Sequence, residues 1–387
     1  MAQTYALKYL TKAALSAPRD LLNSYIAARR PIHPTVLVFN CTWVCDARCE
    51  MCSNWKRGNR KLDMTLEQID GVFRSDFWRN IENAAISGGE PTTRNDLVEI
   101  CELMIDRFPR LRKFGLNTTG LTPHRAIPMI EKIAAACQRK GVIFAMRVSI
   151  DGVGDMHNLV RNVKNGFDKA YETIRAVREM QRRYRFNYGV STTIFSMNLN
   201  DAENILAWAR REKLDIVFNM IRFTEPALGN ADLANAHKPV GEAEERMRQF
   251  FLDRVRMDPL MDGQNYVYMH YADMIANGYH RLAPCPFQSQ GIMLNPDGAL
   301  HFCENSRAVG NCLETDPGEL YFRAESQAHR DEIRDTVCPT CLSPCQMNVA
   351  AVKQVVPYVK FLARATAEKR RSRRLQPPGS PGRRGPA

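Results

Sequence analysis

The stretch that decides the fold of this 387-residue chain is Cys41-Thr-Trp-Val-Cys45-Asp-Ala-Arg-Cys49-Glu-Met-Cys52. It directly follows a short apolar run, residues 35–40, that is typical of a β-strand. Cys45, Cys49 and Cys52 are therefore expected on one tight loop at the carboxyl end of that strand. Three thiolates so placed suit three irons of a [4Fe–4S] cube and leave the fourth iron without a protein ligand. A structural zinc site requires four ligands instead, and Cys41 is the candidate fourth ligand in that alternative.

The sequence beyond this loop alternates short apolar runs with amphipathic helical stretches. A helix over residues 66–73 is opened by the capping pair Thr65 and Gln68. Strict alternation of strand and helix predicts a parallel sheet with right-handed crossovers. Six such units are too few for an eight-fold barrel, so the expected fold is α/β, a partial (β/α)6 TIM-like barrel with its chemistry at the carboxyl ends of the strands. The strands are predicted at residues 35–40, 84–87, 113–117, 142–150, 187–194 and 215–221.

Five segments are expected along the chain. A helical extension (residues 1–34) precedes the barrel core (residues 35–235), and a helical linker (residues 236–284) leads to a small cysteine-rich domain (residues 285–350). A C-terminal helix and a basic, disordered tail (residues 351–387) follow, because a tail rich in Pro, Gly and Arg buries little apolar surface.

The net charge of +12 comes from 54 Lys and Arg against 42 Asp and Glu, and it is unevenly distributed. Seven of the cations lie in the final nineteen residues, which hold no acid. The charge therefore gives no strong nucleic-acid signal. No apolar run reaches the roughly 18 residues of a membrane span, and no signal peptide is evident, so a cytoplasmic protein is expected.

Twelve cysteines are more informative than the charge. In a chain without an export signal, clustered cysteines more often bind metal or perform redox chemistry than form disulfides. Four lie between residues 41 and 52, and six lie between residues 285 and 345. Cys101 and Cys137 stand apart in helical patterns and are expected to be buried core residues.

The motifs on successive predicted strands resemble those of the radical S-adenosylmethionine (SAM) superfamily. That family carries a Cys-x3-Cys-x2-Cys loop after the first strand and a Gly-Gly-Glu motif after the second. Here the corresponding stretches are Cys45 to Cys52, then Ser87-Gly88-Gly89-Glu90-Pro91-Thr92, then Asn117-Thr-Thr-Gly120, then Arg147-Val-Ser149-Ile-Asp-Gly152 with Arg161 further on.

The resemblance implies a SAM-cleaving [4Fe–4S] cluster on Cys45, Cys49 and Cys52, with SAM chelating the open iron. One-electron reduction of SAM would then give a 5′-deoxyadenosyl radical that abstracts hydrogen from a substrate. The glycines are expected to let the backbone approach SAM closely, and Ser149 and Arg161 to bind its carboxylate and ribose region. For Glu90 alone, the plainer interpretation is an exposed acid after a turn. The SAM-binding residues implied are Met51, Gly88, Gly89, Glu90, Asn117, Ser149 and Arg161.

The second cysteine group resembles the SPASM and twitch auxiliary-cluster domains of the same superfamily. Its opening is Cys285-x12-Gly298-x4-Cys303, and Asn295-Pro-Asp-Gly298 predicts a hairpin turn before Cys303. The resemblance implies one auxiliary [4Fe–4S] cluster that aids oxidation, and a zinc site is the alternative. The ligands would be four of the five residues Cys285, Cys303, Cys338, Cys341 and Cys345.

The substrate is not fixed by the family, because one fold hosts many chemistries. The short segment before the first strand favours a small molecule, such as a sugar or natural-product intermediate, and the reductant would be flavodoxin or ferredoxin. The first alternative is maturation of a ribosomally synthesised peptide. A second is redox-neutral epimerisation with Cys312 as hydrogen donor, although a buried or spare Cys312 is the preferred interpretation. A non-catalytic iron–sulfur scaffold and an RNA-modifying enzyme are further alternatives.

Overall fold

The computed structural model describes residues 30–224, 228–258, 263–283, 285–343 and 355–375, with a few single positions before residue 30. It divides into two compact units. The barrel unit comprises residues 25–239 and 286–343, and the helical unit comprises residues 1–24, 240–285 and 344–387.

The barrel unit is built on one sheet that has nine strands in the described residues, in the order β6-β5-β4-β3-β2-β1-β7-β8-β9. Strands β1 to β6 pair in parallel with one another, and β7 pairs in parallel with β1. Strand β8 then pairs antiparallel with both β7 and β9. The strands are β1 (Val36–Thr42), β2 (Asn83–Gly88), β3 (Lys113–Thr118), β4 (Ile143–Ser149), β5 (Asn187–Ile194), β6 (Ile216–Met220), β7 (Gly291–Leu294), β8 (Ala299–His301) and β9 (Ala308–Asn311).

Helices alternate with the parallel strands along the chain. In the barrel unit they are α1 (Leu66–Phe73), α2 (Leu97–Arg107), α3 (Pro123–Arg139), α4 (Asp155–Arg161), α5 (Gly166–Met180), α6 (Ala202–Arg211), α7 (Ala234–His237), α10 (Pro317–Phe322) and α11 (Ala324–Thr336); in the helical unit they are α8 (Glu242–Met257), α9 (Gly263–Ala276) and α12 (Val355–Leu375). Short 3-10 turns occur at Asn54–Arg57, Arg60–Leu62, Asp76–Asn80, Pro91–Thr93, Leu199–Asp201, Ala231–Leu233, Pro286–Gln288 and Cys338–Thr340.

The predicted partial barrel is confirmed. Each of the six predicted strands is present, and helix α1 begins with the predicted capping box of Thr65 and Gln68. The sheet does not close on itself, because β6 lies at one edge and β9 at the other. The hairpin around residues 295–298 forms as predicted. The first strand of the hairpin, β7, pairs with β1 and so extends the barrel sheet. The turn sequence predicts the hairpin but not this pairing.

The core lies between the sheet and the helical layer. Phe39 of β1 packs edge-on against Phe73 of α1, and Phe73 contacts both Trp78 and Phe108 at ring-centroid distances of 5.1–5.5 Å. Burial of aromatic side chains of this size is the largest contribution that single residues make to such a core. Cys101 and Cys137 are buried in the same layer, as predicted.

In the helical unit, α8, α9 and α12 pack against one another. The helical linker predicted at residues 236–284 contains α8 and α9. The predicted C-terminal helix corresponds to α12 from Val355 onward, and residues 351–354 lie outside the described residues. Most of the predicted N-terminal extension, Cys345 and the end of the basic tail also lie outside them. No helix among the described residues is long and apolar enough to cross a membrane.

Candidate functional site

A cavity opens at the carboxyl ends of the parallel strands. Because side chains alternate between the two faces of a strand, the strand registers place one polar residue from each of four neighbouring strands on the same inner face. These residues, Ser87, Asn117, Ser149 and Thr193, all line the cavity. The predicted Asn117 and Ser149 are therefore brought together, and Thr193 joins them.

The cysteine loop forms the opposing wall of this cavity. Cys45, Cys49, Cys52 and Met51 line it, and Cys49 is buried. Apolar side chains surround the loop, among them Leu121, Val160, Phe195 and Ile221. Burial raises the pKa of Cys49 to about 11 and raises the pKa values of Cys45 and Cys52 as well. The thiols are thus held protonated until a metal binds and displaces the protons.

Arg161 connects the cysteine loop to the end of β4. It is the last residue of α4 and forms an ion pair with Asp151, whose side chain is fully buried. Its Nη1 lies 3.5 Å from Sγ of Cys49. Burial opposes the charge of Arg161, but Asp151 and Cys49 outweigh it and raise the pKa of the guanidinium. Arg161 is therefore a fixed cation beside the thiols.

Gly88 and Gly89 are required by close packing against the chain of residues 42–44. A Cβ at Gly88 would lie 2.2 Å from the Thr42 carbonyl oxygen, and one at Gly89 would lie 2.4 Å from that of Val44. Gly88 also adopts φ +129°, which side chains disfavour. The close approach seen in the structure is thus to the segment that leads into the cysteine loop, and the approach of this backbone to SAM stays a prediction.

Glu90 is fully buried, unlike the exposed acid of the plainer interpretation. Its Oε1 accepts hydrogen bonds from the Thr92 amide (3.0 Å), the Thr92 hydroxyl (2.7 Å) and the Thr118 hydroxyl (2.8 Å), and its Oε2 accepts one from the Thr119 amide (2.6 Å). Burial, aided by Asp46, raises the pKa of Glu90, and the hydrogen bonds oppose that rise. The carboxylate therefore holds the loop that follows β3.

Several residues of this site could not be recognised from the sequence. Asp46, between the first two cysteines of the loop, accepts hydrogen bonds from the hydroxyls of Thr119 (3.0 Å) and Thr122 (2.9 Å). Arg222, after β6, also lines the cavity. Asp46 occupies one of the unspecified positions of the Cys-x3-Cys spacing. Arg222 follows a strand whose end carries no motif, so no local sequence pattern distinguishes either residue.

The donor set fits a [4Fe–4S] cluster with one open iron. Three thiols line one cavity that is otherwise walled by polar strand ends. Cys41 is not among the residues that line the cavity. Its side chain is fully buried and lies near Cys101 of α2, in the helical layer. A fourth protein ligand from Cys41 is thus not supported. Among the described residues, no group of three or more His, Cys, Asp or Glu side chains lies close enough together to hold a metal ion, the three thiols of the loop included.

In the second cysteine group, Cys303 and Cys341 are brought together by Asn305. The Asn305 amide donates to Sγ of Cys303 (3.4 Å), and its side chain donates to Sγ of Cys341 (3.3 Å). Sγ of Cys341 also accepts the Ser343 amide (3.4 Å). Cys338 lies one 3-10 turn before Cys341, and its carbonyl accepts the Cys341 amide at 3.3 Å. Cys285 belongs to the helical unit.

The fold and the site define a radical SAM domain. Residues 39–209 match the model of the Radical SAM superfamily, so this part of the chain is a radical SAM domain. GTP 3′,8-cyclase from Pasteurella multocida is 25% identical over 193 residues, which cover 46% of this chain and 50% of the cyclase. This chain thus spans about half the length of that relative. Mycofactocin maturase MftC from Mycolicibacterium smegmatis is 23% identical over 334 residues, 83% of this chain and 79% of the maturase.

Solved structures show the same fold. The structure of anSMEcpe with bound AdoMet and Cp18Cys peptide superimposes with a TM-score of 0.53 at 15% identity and covers 86% of this chain and 99% of its own. The structure of Streptococcus suis SuiB bound to S-adenosylmethionine gives a TM-score of 0.52 at 11% identity. The match covers 82% of this chain and 74% of the SuiB chain.

Proposed function

We propose that this chain is an enzyme that reductively cleaves SAM and abstracts a hydrogen atom from a substrate carbon. The observation that carries the proposal is the meeting of Cys45, Cys49 and Cys52 with the polar strand ends in one cavity. A bound [4Fe–4S] cluster would supply the single electron that breaks the sulfonium C–S bond. The chain itself would bind and orient SAM and keep water from the radical.

The residues for SAM are proposed from the cavity wall, namely Met51, Gly88, Gly89, Asn117, Ser149 and Arg161. Ser149 and Asn117 offer polar side chains from adjacent strands, and the backbone after β2 is fixed by its glycines. Arg161 has its Nη groups engaged by Asp151 and Cys49, while its buried Nε has no hydrogen-bond partner among the described residues. That Nε is therefore the donor left for a ligand carboxylate. Glu90 acts as a positioning residue through Thr118 and Thr119.

An auxiliary [4Fe–4S] cluster is proposed on four of Cys285, Cys303, Cys338, Cys341 and Cys345. Amide donors to Sγ atoms, as Asn305 and Ser343 provide, are the interactions that tune iron–sulfur sites. Arg222 of the cavity wall forms an ion pair with buried Glu304, at 2.9 Å, directly after Cys303. This ion pair connects the segment that follows Cys303 to the cavity wall. It supports the proposal that the auxiliary cluster takes an electron from a product radical, which favours an oxidised product.

Cys312 is proposed not to be catalytic. Its side chain is buried and is not among the residues that line the cavity. Burial raises the pKa of the Cys312 thiol to about 12, and its amide donates to the Gly298 carbonyl at 2.8 Å. These features favour a core cysteine of the hairpin over a hydrogen donor for epimerisation.

For the substrate, a peptide is the class that we propose. MftC, which matches over 83% of this chain, is a maturase, and the anSMEcpe structure that covers 86% of it holds a bound peptide. The small-molecule expectation rests on the short segment before β1 alone.

The test of the function is anaerobic reconstitution with iron and sulfide, followed by SAM and dithionite. We expect 5′-deoxyadenosine, formed faster when the correct substrate is present. A ribosomal precursor peptide encoded beside the gene is the first substrate to test; it should lose two hydrogens by mass spectrometry. A peptide that neither changes mass nor accelerates SAM cleavage, while a sugar does, would reverse the substrate assignment.

A further inference from the structure

Asn230, in the segment that follows β6, is a fully buried asparagine bonded to three main-chain groups. Its Nδ2 donates hydrogen bonds to the carbonyl oxygens of Met51 at 2.8 Å and of Arg222 at 3.1 Å. Its Oδ1 accepts the amide of Thr224 at 2.9 Å. Both ends of the side chain therefore have partners, and the main-chain groups fix which end is the amide nitrogen.

These bonds join two walls of the cavity. Met51 directly precedes Cys52 in the cysteine loop, and both residues line the cavity. Arg222 and Leu228 line it from the segment after β6. The Ser53 amide also donates to the Leu228 carbonyl at 3.1 Å, so the same two segments meet through the main chain. The buried asparagine thus lies at the junction between the third cysteine and the wall that follows β6.

The cysteine loop depends on such bonds, because residues 43–52 form neither helix nor strand. On one side, the amides of Arg48 and Glu50 donate to the carbonyls of Arg161 and Val160, at 3.2 and 3.0 Å. On the other side, the side chain of Asn230 holds the loop. A loop without its own ladder of hydrogen bonds keeps its shape only through partners of this kind.

We infer that Asn230 is a positioning residue of the SAM-cleaving centre, an inference that rests on the proposed function. It fixes Met51 against the segment after β6, so that the thiol of Cys52 keeps its place in the cavity. An amide side chain is required, because its nitrogen donates to two carbonyls while its oxygen accepts a main-chain N–H. Replacing a residue that orients a metal ligand without touching the metal typically costs about 10- to 100-fold in metal affinity.

The test compares Asn230→Asp with Asn198→Asp. Aspartate keeps the shape of asparagine and its accepting oxygen, but it places a second oxygen against the two carbonyls. Asn198 is a matched control because it is also fully buried. Its Nδ2 donates to the carbonyls of Asp151 (3.0 Å) and Thr193 (2.8 Å), and its Oδ1 accepts the Phe195 amide (3.0 Å). None of these three bonds reaches the cysteine loop.

Two rates are measured for wild type and both variants. In the metal-free full chain, peptide mass spectrometry follows the alkylation of Cys52 by iodoacetamide. In the reconstituted enzyme, a ferrous chelator follows the loss of iron. We expect Asn230→Asp to raise each rate about tenfold and Asn198→Asp to leave both as in wild type. If Asn230→Asp does not fold, Asn230→Ala and Asn198→Ala are compared in the same way, because alanine removes the donors without burying a charge.

Wild-type rates in the Asn230 variant overturn the inference. An equal rise in the Asn198 variant also overturns it, because the effect would then come from a general loss of stability. Cleavage of SAM by wild type is measured separately, and its absence would contradict the proposed function. The alkylation of Cys52 in the metal-free chain would still decide whether Asn230 positions the loop.

Discussion

The Thr119 amide donates a 2.6 Å hydrogen bond to Oε2 of Glu90, and the Thr119 hydroxyl donates a 3.0 Å hydrogen bond to Asp46. One threonine after β3 thereby joins the carboxylate of the Gly-Gly-Glu motif to the cysteine loop. The three elements that surround the proposed SAM site are thus held by a single buried network. Such networks are costly to break, because their remaining donors lose their partners in a low dielectric.

Glu90→Ala should accordingly destabilise the protein by about 3 kcal/mol, since four donors lose their acceptor. Urea unfolding of the metal-free protein measures this change. Glu99→Ala, at an exposed position of α2, is the matched control and should change the free energy of unfolding by less than about 0.5 kcal/mol. If the two substitutions change the free energy of unfolding equally, the hydrogen bonds to Glu90 do not stabilise the fold.

Gly88→Ala should cost about 3 kcal/mol or more, because the new Cβ would meet the Thr42 carbonyl and φ is positive. Gly71→Ala in α1 is the contrasting substitution. A Cβ there meets no atom within 4 Å, so alanine should stabilise the helix by about 0.5–1 kcal/mol. Thermal unfolding of both variants would show whether each substitution raises or lowers the stability. A Gly88→Ala variant as stable as wild type would contradict the close packing described for this motif.

The positions of the six barrel strands and of the motifs could be predicted from the sequence, because both depend on local periodicity and spacing. The contacts that the motif residues make could not be predicted from the sequence. Gly88 packs against residues brought near by the β1–β2 pairing, and β7 joins the barrel sheet across some 250 residues of chain. Asp46 and Arg222 were missed for the same reason, since their roles arise from contacts between separate loops.

The buried histidine His157 gives a prediction for pH. Its Nδ1 accepts the Asp151 amide at 3.1 Å, and burial lowers its pKa from 6.5 to about 3. The unfolded chain therefore binds a proton below about pH 6.5 that the folded protein does not take up until about pH 3. The stability contributed by neutral His157 is present above pH 6.5 and is lost as pH falls towards 3, by up to about 1.4 kcal/mol per pH unit.

His157→Gln should flatten that part of the stability profile, which urea titrations across this pH window would measure. His124→Gln, at an exposed position of α3, should leave the slope as in wild type. An unchanged slope in His157→Gln would mean that the folded protein already accepts the proton at this position.

Asn305→Ala tests the second cysteine site. Loss of its side-chain donor to Cys341 should make the reduction potential of the auxiliary cluster more negative, because N–H donors stabilise the more negative reduced state. A redox titration monitored by EPR would measure the reduction potential of the auxiliary cluster separately from that of the SAM-cleaving cluster. Iron content should stay at about eight atoms per chain. Stoichiometric zinc with about four irons would instead identify a structural zinc site.

The most direct test of the central claim is 5′-deoxyadenosine formation by wild type and by the triple variant Cys45→Ala, Cys49→Ala and Cys52→Ala, under anaerobic conditions with SAM and dithionite. The account predicts product from wild type and none from the triple variant, which should retain about four irons from the second site. A triple variant that makes 5′-deoxyadenosine at the wild-type rate would contradict it.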